Sequence, residues 1–139
     1  AETALAIARQ KAADRGFEVE FVAADAFHLE RLRRMFGTVL DCGLFHTFDS
    51  NGPGDANSDE RSRYVASLAS VTRHDGTLYV LCFSDDGPET GPHPIRQEEL
   101  RAAFNPSAGL NVAALEPERI ETRFHDHGAP AWLATIKRI

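Results

Sequence analysis

The chain has 139 residues, enough for one domain around a single core and too few for two. At 42% hydrophobic and 26% charged residues, its composition is that of a globular protein and excludes a disordered one. A formal charge of −6, with Arg31, Arg33 and Arg34 as the one basic cluster, gives no stripe for a duplex, so no nucleic-acid partner is expected.

Residues 1–14 are Ala-rich, with Ala1, Ala4, Leu5, Ala8 and Ala12 on one helical face, and Gly16 stands where a left-handed terminator belongs. Residues 18–23 (EVEFVA) read as a strand ending at Ala24-Asp25-Ala26, and residues 27–35 as a short helix with Leu29 and Leu32 at helical spacing. Residues 38–42 form the next strand, followed by Gly43 and a loop over 49–57 that contains Asn-Gly-Pro-Gly. Ser58 is placed to cap a helix over 59–73 that buries Tyr64, Val65, Leu68 and Val71. His74-Asp75-Gly76 then turns the chain into residues 77–83 (TLYVLCF), an apolar run typical of a strand covered on both faces. After a Gly/Pro-rich loop over 84–94 comes a helix over 96–104. Two long strands over 111–124 and 131–138 follow, joined around residues 125–128.

No helix fits between those last strands, so they are expected to pair antiparallel. The alternation before them implies an α/β fold: a three-layer sandwich whose mostly parallel sheet ends in an antiparallel pair. Cys42 and Cys82 form no C-x-x-C motif or disulfide framework and read as reduced thiols of a cytoplasmic protein. No stretch approaches the roughly 18 apolar residues of a membrane span, and no membrane partner is expected. The excess of Arg over Lys, with abundant Ala, points to a GC-rich bacterial source.

The runs GTVLDCGLFHTFD and RYVASLASVTRHDGTLYVLCFSD, in that order and spacing, resemble class I (Rossmann-like) S-adenosylmethionine-dependent methyltransferases. They are most similar to the thiopurine methyltransferase-like small-molecule group. Where the family more often has Arg-Pro-Gly-Gly before its fifth strand, this chain has Arg73-His74-Asp75-Gly76. The resemblance spans residues 1–139 and implies strands three to seven of the family's seven-stranded sheet, the C-terminal part of a single domain. The family's first strand and its acidic-x-Gly-x-Gly-x-Gly cofactor loop have no counterpart here, nor does the ribose-binding acid of its second strand. Gly52-Pro53-Gly54 is no substitute, because neither a strand nor a helix flanks it. The chain therefore looks truncated, with a whole N-terminal block missing. Two bared sheet edges would follow, and with them a rearranged N-terminus or a homodimer.

The resemblance implies S-adenosylmethionine as cofactor and a small-molecule acceptor. By position, Asp25 and Ala26 would meet the adenine; the alternative is that Asp25 caps the helix after it. Asp41, Cys42 and Gly43 would line the methionine end, with Asp41 either pairing with its ammonium or fixing the turn. His46 is the one catalytic candidate, as proton acceptor or hydrogen-bond partner of the substrate; a histidine packed beside Phe45 and Phe48 is the plainer reading. Cys42 lacks a basic partner that would make it a nucleophile. His125-x-His127 has no third ligand, so no metal is expected. Trp132 reads as core, and the phenylalanines form no base-stacking platform. Residues 47–58 and 84–93 are expected to cover the substrate. Three functions compete: methyl transfer that needs the missing block, a non-catalytic remnant kept for assembly or binding, and a cofactor-free interaction domain of similar topology.

Overall fold

The computed structural model describes residues 1–48, 59–86 and 94–139. Its sheet has four strands: β1 (Phe36–Cys42), β2 (Thr72–Phe83), β3 (Leu110–Thr122) and β4 (His125–Arg138), in the order β1-β2-β4-β3. β1 and β2 are parallel, whereas β4 runs antiparallel to both β2 and β3. The sheet is therefore mixed and not mostly parallel as expected. The missing parallel pairing is that of residues 18–23, which join no strand among the described residues. Alternating Glu and Val or Phe suits a strand, yet a strand also needs a neighbour whose backbone groups it can satisfy.

The antiparallel closing pair matches the expectation, and β2 lies between β1 and β4. The hairpin turn does not: Thr122 faces His125 across a two-residue turn of Arg123 and Phe124, so residues 125–128 already belong to β4. The Arg73–Gly76 stretch also differs. β2 starts directly from the preceding helix at Thr72, and Arg73–Gly76 is an excursion inside the strand, between the pairs Phe36–Thr72 and Thr38–Thr77. Asp75 takes φ 63° there, and a Cβ on Gly76 would lie 2.7 Å from the carbonyl oxygen of Arg73.

Helix α1 (Glu2–Asp14) ends as expected, with Gly16 at φ 70° and the Phe17 N–H bonded to Ala12 O, but it buries no residue. The segment expected as a helix over 27–35 is one 3-10 turn, Leu29–Leu32, docked by a bond from Leu29 N–H to Ser67 Oγ at 2.9 Å. Helix α2 (Glu60–Val71) is capped by Asp59, whose carboxylate accepts the Ser62 N–H at 3.0 Å; Ser58 lies outside the described residues. Helix α3 (Gln97–Ala103) has its first turn closed by Glu99, which accepts the Arg96 N–H at 2.8 Å.

The core lies on one face of the sheet, where Leu78, Val80, Cys82, Trp132, Ala134 and Ile136 meet Val65 and Leu68 of α2 and Leu100 of α3. Strand alternation sends Leu40, Cys42, Tyr79, Leu81 and Leu133 to the other face, where Leu40 is 67% exposed. Among the described residues, α2 and α3 pack on the core face and α1 buries no residue. The two sheet edges also differ. β3 carries Pro117 and the charges Glu116, Glu118, Arg119 and Glu121, features that discourage strand addition, whereas the outer edge of β1 has no such guard.

Candidate cofactor site

The turn that closes β1 stands at the carboxyl edge of the parallel pair, where open α/β sheets hold ligands. Gly43 adopts φ 84° and donates its N–H to Leu81 O at 2.9 Å, tying the turn to β2. Asp41 is buried, and both its oxygens are engaged: Oδ1 accepts Leu44 N–H at 2.9 Å, and Oδ2 accepts Phe45 N–H at 3.0 Å and the Tyr64 hydroxyl at 2.7 Å. Of the two roles open in the sequence, the geometry carries the turn-fixing one. Cys42, on the opposite face, is exposed.

His46 is buried with its ring stacked on Phe83 at 4.5 Å, and its Nδ1 accepts the Phe83 N–H at 3.2 Å. His46 therefore fastens the turn after β1 to the end of β2.

Asp25 is exposed, and its Oδ1 accepts Phe27 N–H at 2.9 Å, closing a local turn two residues before the 3-10 segment, whose own N-cap is His28. Ala26 and Phe27 are half-buried against the core. Phe27 meets Phe48 at 5.1 Å, Phe48 meets Tyr64 at 4.8 Å, and Tyr64 reaches Asp41, so a row of rings joins the adenine-side candidates to the methionine-side turn. Beneath them, buried Arg61 donates from Nε to Phe48 O at 3.2 Å and from Nη1 to Glu99 at 3.4 Å, and lies over the Phe45 ring. Partial burial works against the Glu99 charge, yet the Arg96 N–H and the Arg61 guanidinium hold its carboxyl below the ordinary value.

Tyr64 was legible in the sequence as core, but not as Asp41's partner. The available signal was its hydroxyl: a buried phenol on an apolar helix face has to find an acceptor. Trp132 follows the same rule, donating from Nε1 to Ile95 O at 3.0 Å. The pair His125 and His127 gains no further ligand, and no metal-binding cluster occurs among the described residues. Of the expected substrate-covering loops, residues 49–58 and 87–93 lie outside the described residues. No described helix is long and apolar enough to cross a membrane.

No family model matches the chain. It is 30% identical over 136 residues to a 2-heptyl-1-hydroxyquinolin-4(1H)-one methyltransferase of Mycobacteroides abscessus, covering 93% of this chain and 56% of that protein. A solved structure described for the conversion of a disulfide bond into a thioacetal group during echinomycin biosynthesis superimposes with a TM-score of 0.77 at 26% identity, covering 98% of this chain and 62% of that one. An S-adenosylmethionine-dependent methyltransferase of Clostridium acetobutylicum gives 0.70 at 12% identity, covering 99% of this chain and 72% of the other. The chain thus has the α/β fold found in S-adenosylmethionine-dependent methyltransferases and is related in sequence to a small-molecule methyltransferase. It spans little more than half the length of that relative.

Proposed function

We propose that this chain is the C-terminal part of a class I methyltransferase domain of the thiopurine methyltransferase-like group, acting on a small molecule with S-adenosylmethionine as methyl donor. The observation that carries the reading is the clamped glycine turn at the carboxyl end of β1, in a fold whose sequence relative is a small-molecule methyltransferase. The residues present fit half of a cofactor cradle. Cys42, Gly43 and Leu44 offer turn backbone for the methionine end, and exposed Asp25 with Ala26 offers a carboxylate and an N–H for the adenine. When bound, the cofactor supplies an electrophilic methyl group on sulfur. The protein's task is to align the acceptor with it and to exclude water, which needs no dedicated base when the acceptor is already nucleophilic.

The other half of the cradle, the Gly-rich loop and the ribose-binding acid, is assigned to polypeptide preceding Ala1. The unguarded β1 edge, the unpaired residues 18–23 and the open sheet face support this, since two further strands and their helices would satisfy all three. A second copy of the chain is the competing occupant. By this reading the chain alone lacks several hydrogen bonds to the cofactor, some charge-assisted at about 1.5–3 kcal/mol each, enough to erase micromolar binding. Calorimetric titration with S-adenosylmethionine is expected to show no site tighter than roughly millimolar. One micromolar site per chain would mean that residues 1–139 hold a complete pocket, and the missing-block account would fall. A longer gene product carrying the Gly-rich loop is expected to bind at micromolar levels; no binding there would refute the methyltransferase reading itself.

A further inference from the structure

Both ends of the β1 turn are anchored. At one end Gly43 is tied to Leu81 O; at the other Phe45 is fully buried, with its ring 5.0 Å from that of Phe104. Between these anchors Cys42 and Leu44 are exposed, so the turn presents one short surface stretch at the carboxyl edge. What holds that stretch from inside is Asp41, and what holds Asp41 is Tyr64.

We propose that Tyr64, acting through Asp41, is a positioning residue for the methyl donor, keeping the Cys42–Leu44 backbone in the conformation that receives the cofactor's methionine end. The inference rests on the methyltransferase reading above. Among the described residues the Tyr64 hydroxyl is the only side-chain donor to Asp41, and it shares Oδ2 with the Phe45 N–H, so it orients the oxygen that closes the turn. α2 fixes the phenol, and the Phe48 ring packs beside it at 4.8 Å. Burial and the neighbouring Asp41 carboxylate push the phenol well above its ordinary pKa, so it remains a donor through the whole neutral range. An acceptor-only carboxylate matched by three donors has one low-energy arrangement, whereas a carboxylate with two backbone donors alone keeps a rotational freedom that the turn would share.

The test uses residues 1–139 as they stand. Tyr64→Phe removes one oxygen and keeps the packing. In amide hydrogen exchange, Leu44 and Phe45 are expected to exchange about tenfold faster in this variant, with Leu78 and Ile136 in the sheet centre much less affected. Asp41→Asn keeps one acceptor oxygen and is expected to retain protection of one of the two turn amides. Titration with millimolar S-adenosylhomocysteine, followed by the amide shifts of Cys42, Gly43 and Leu44, is expected to perturb the turn in the unmodified chain. The apparent affinity should be several-fold weaker in Tyr64→Phe. Unchanged exchange at Leu44 and Phe45, or equal acceleration at Leu78 and Ile136, overturns the positioning role whatever the ligand does. So does faster turn exchange with unaltered ligand affinity. An unmodified turn that does not respond to the ligand at all removes the cofactor reading of this site, and the inference with it.

Discussion

Alanine at Gly76 would place its Cβ 2.7 Å from Arg73 O, 3.0 Å from Gly37 O and 3.1 Å from Thr72 Cγ2. The first two are backbone atoms, one in the β2 excursion and one in β1, so no side-chain rotation relieves them. Forcing the two apart is an overpacking problem and costs about 1–3 kcal/mol. Gly37 supplies the control, because an added Cβ there meets nothing within 4 Å. Gly37→Ala should be neutral or stabilising by about 0.4–1 kcal/mol, through the unfolded chain's lost freedom. The two variants should therefore differ by roughly 1.5–4 kcal/mol, and with a slope of about 1–3 kcal/mol per molar urea their midpoints should separate by roughly 1 M. Urea unfolding followed by circular dichroism measures this. Coincident midpoints would mean that the excursion moves freely away from Gly37, and that the register from Thr38–Thr77 onward is not set at this contact.

Gly43→Ala should destabilise by about 1–2 kcal/mol through backbone strain at φ 84° alone, since the nearest atom to its Cβ is His46 Cε1 at 3.7 Å. Gly43→Asn should cost less, and equal stabilities for all three residues would contradict a left-handed turn in solution. Of the two free thiols, Cys42 should react with a disulfide reagent in the native protein. Cys82, fully buried and pushed up to about 12 by burial and by the Asp41 carboxylate, should react only on unfolding. Two fast equivalents would contradict this placement. Glu99→Gln should destabilise at pH 7 by about 1–3 kcal/mol. Because the folded-state pKa of Glu99 is lowered, its contribution is full above the ordinary 4.5 and is lost as pH falls through the folded value. The gap to the parent should narrow in acid, and a gap that widens there refutes the ion pair's role.

Where one local rule decided the outcome, the sequence was readable. Leu78, Val80 and Cys82 fall in an apolar run that only a central strand buries, and residues 111–138 leave no room for a crossover helix, so a covered β2 and the antiparallel closing pair were both legible. Residues 18–23 misled because β-propensity describes a strand and not its partner. Asp25 and Asp41 each had two roles that one carboxylate serves equally well, and the sequence could not show the donors around them, Phe27 N–H for one and Leu44, Phe45 and Tyr64 for the other. His46 illustrates the same limit. The sequence places it beside the candidate site, and only the structure shows the Phe83 N–H on its Nδ1.

The order β1-β2-β4-β3 also bears on how the molecule assembles in time. Its central strand pair joins Thr77 to Lys137, partners 60 residues apart that are also linked by a bond from Lys137 Nζ to Thr77 Oγ1. Everything made before residue 131 therefore waits with one side of β2 bare, and the sheet closes late around a contact of long sequence separation. Such pairings carry a large loop-closure cost and fold slowly. During that wait the Leu78–Phe83 run is an apolar template open to other chains. Residues 131–137 therefore act as the keystone: losing them would undo both the pairing that centres the sheet and the hairpin that ends it.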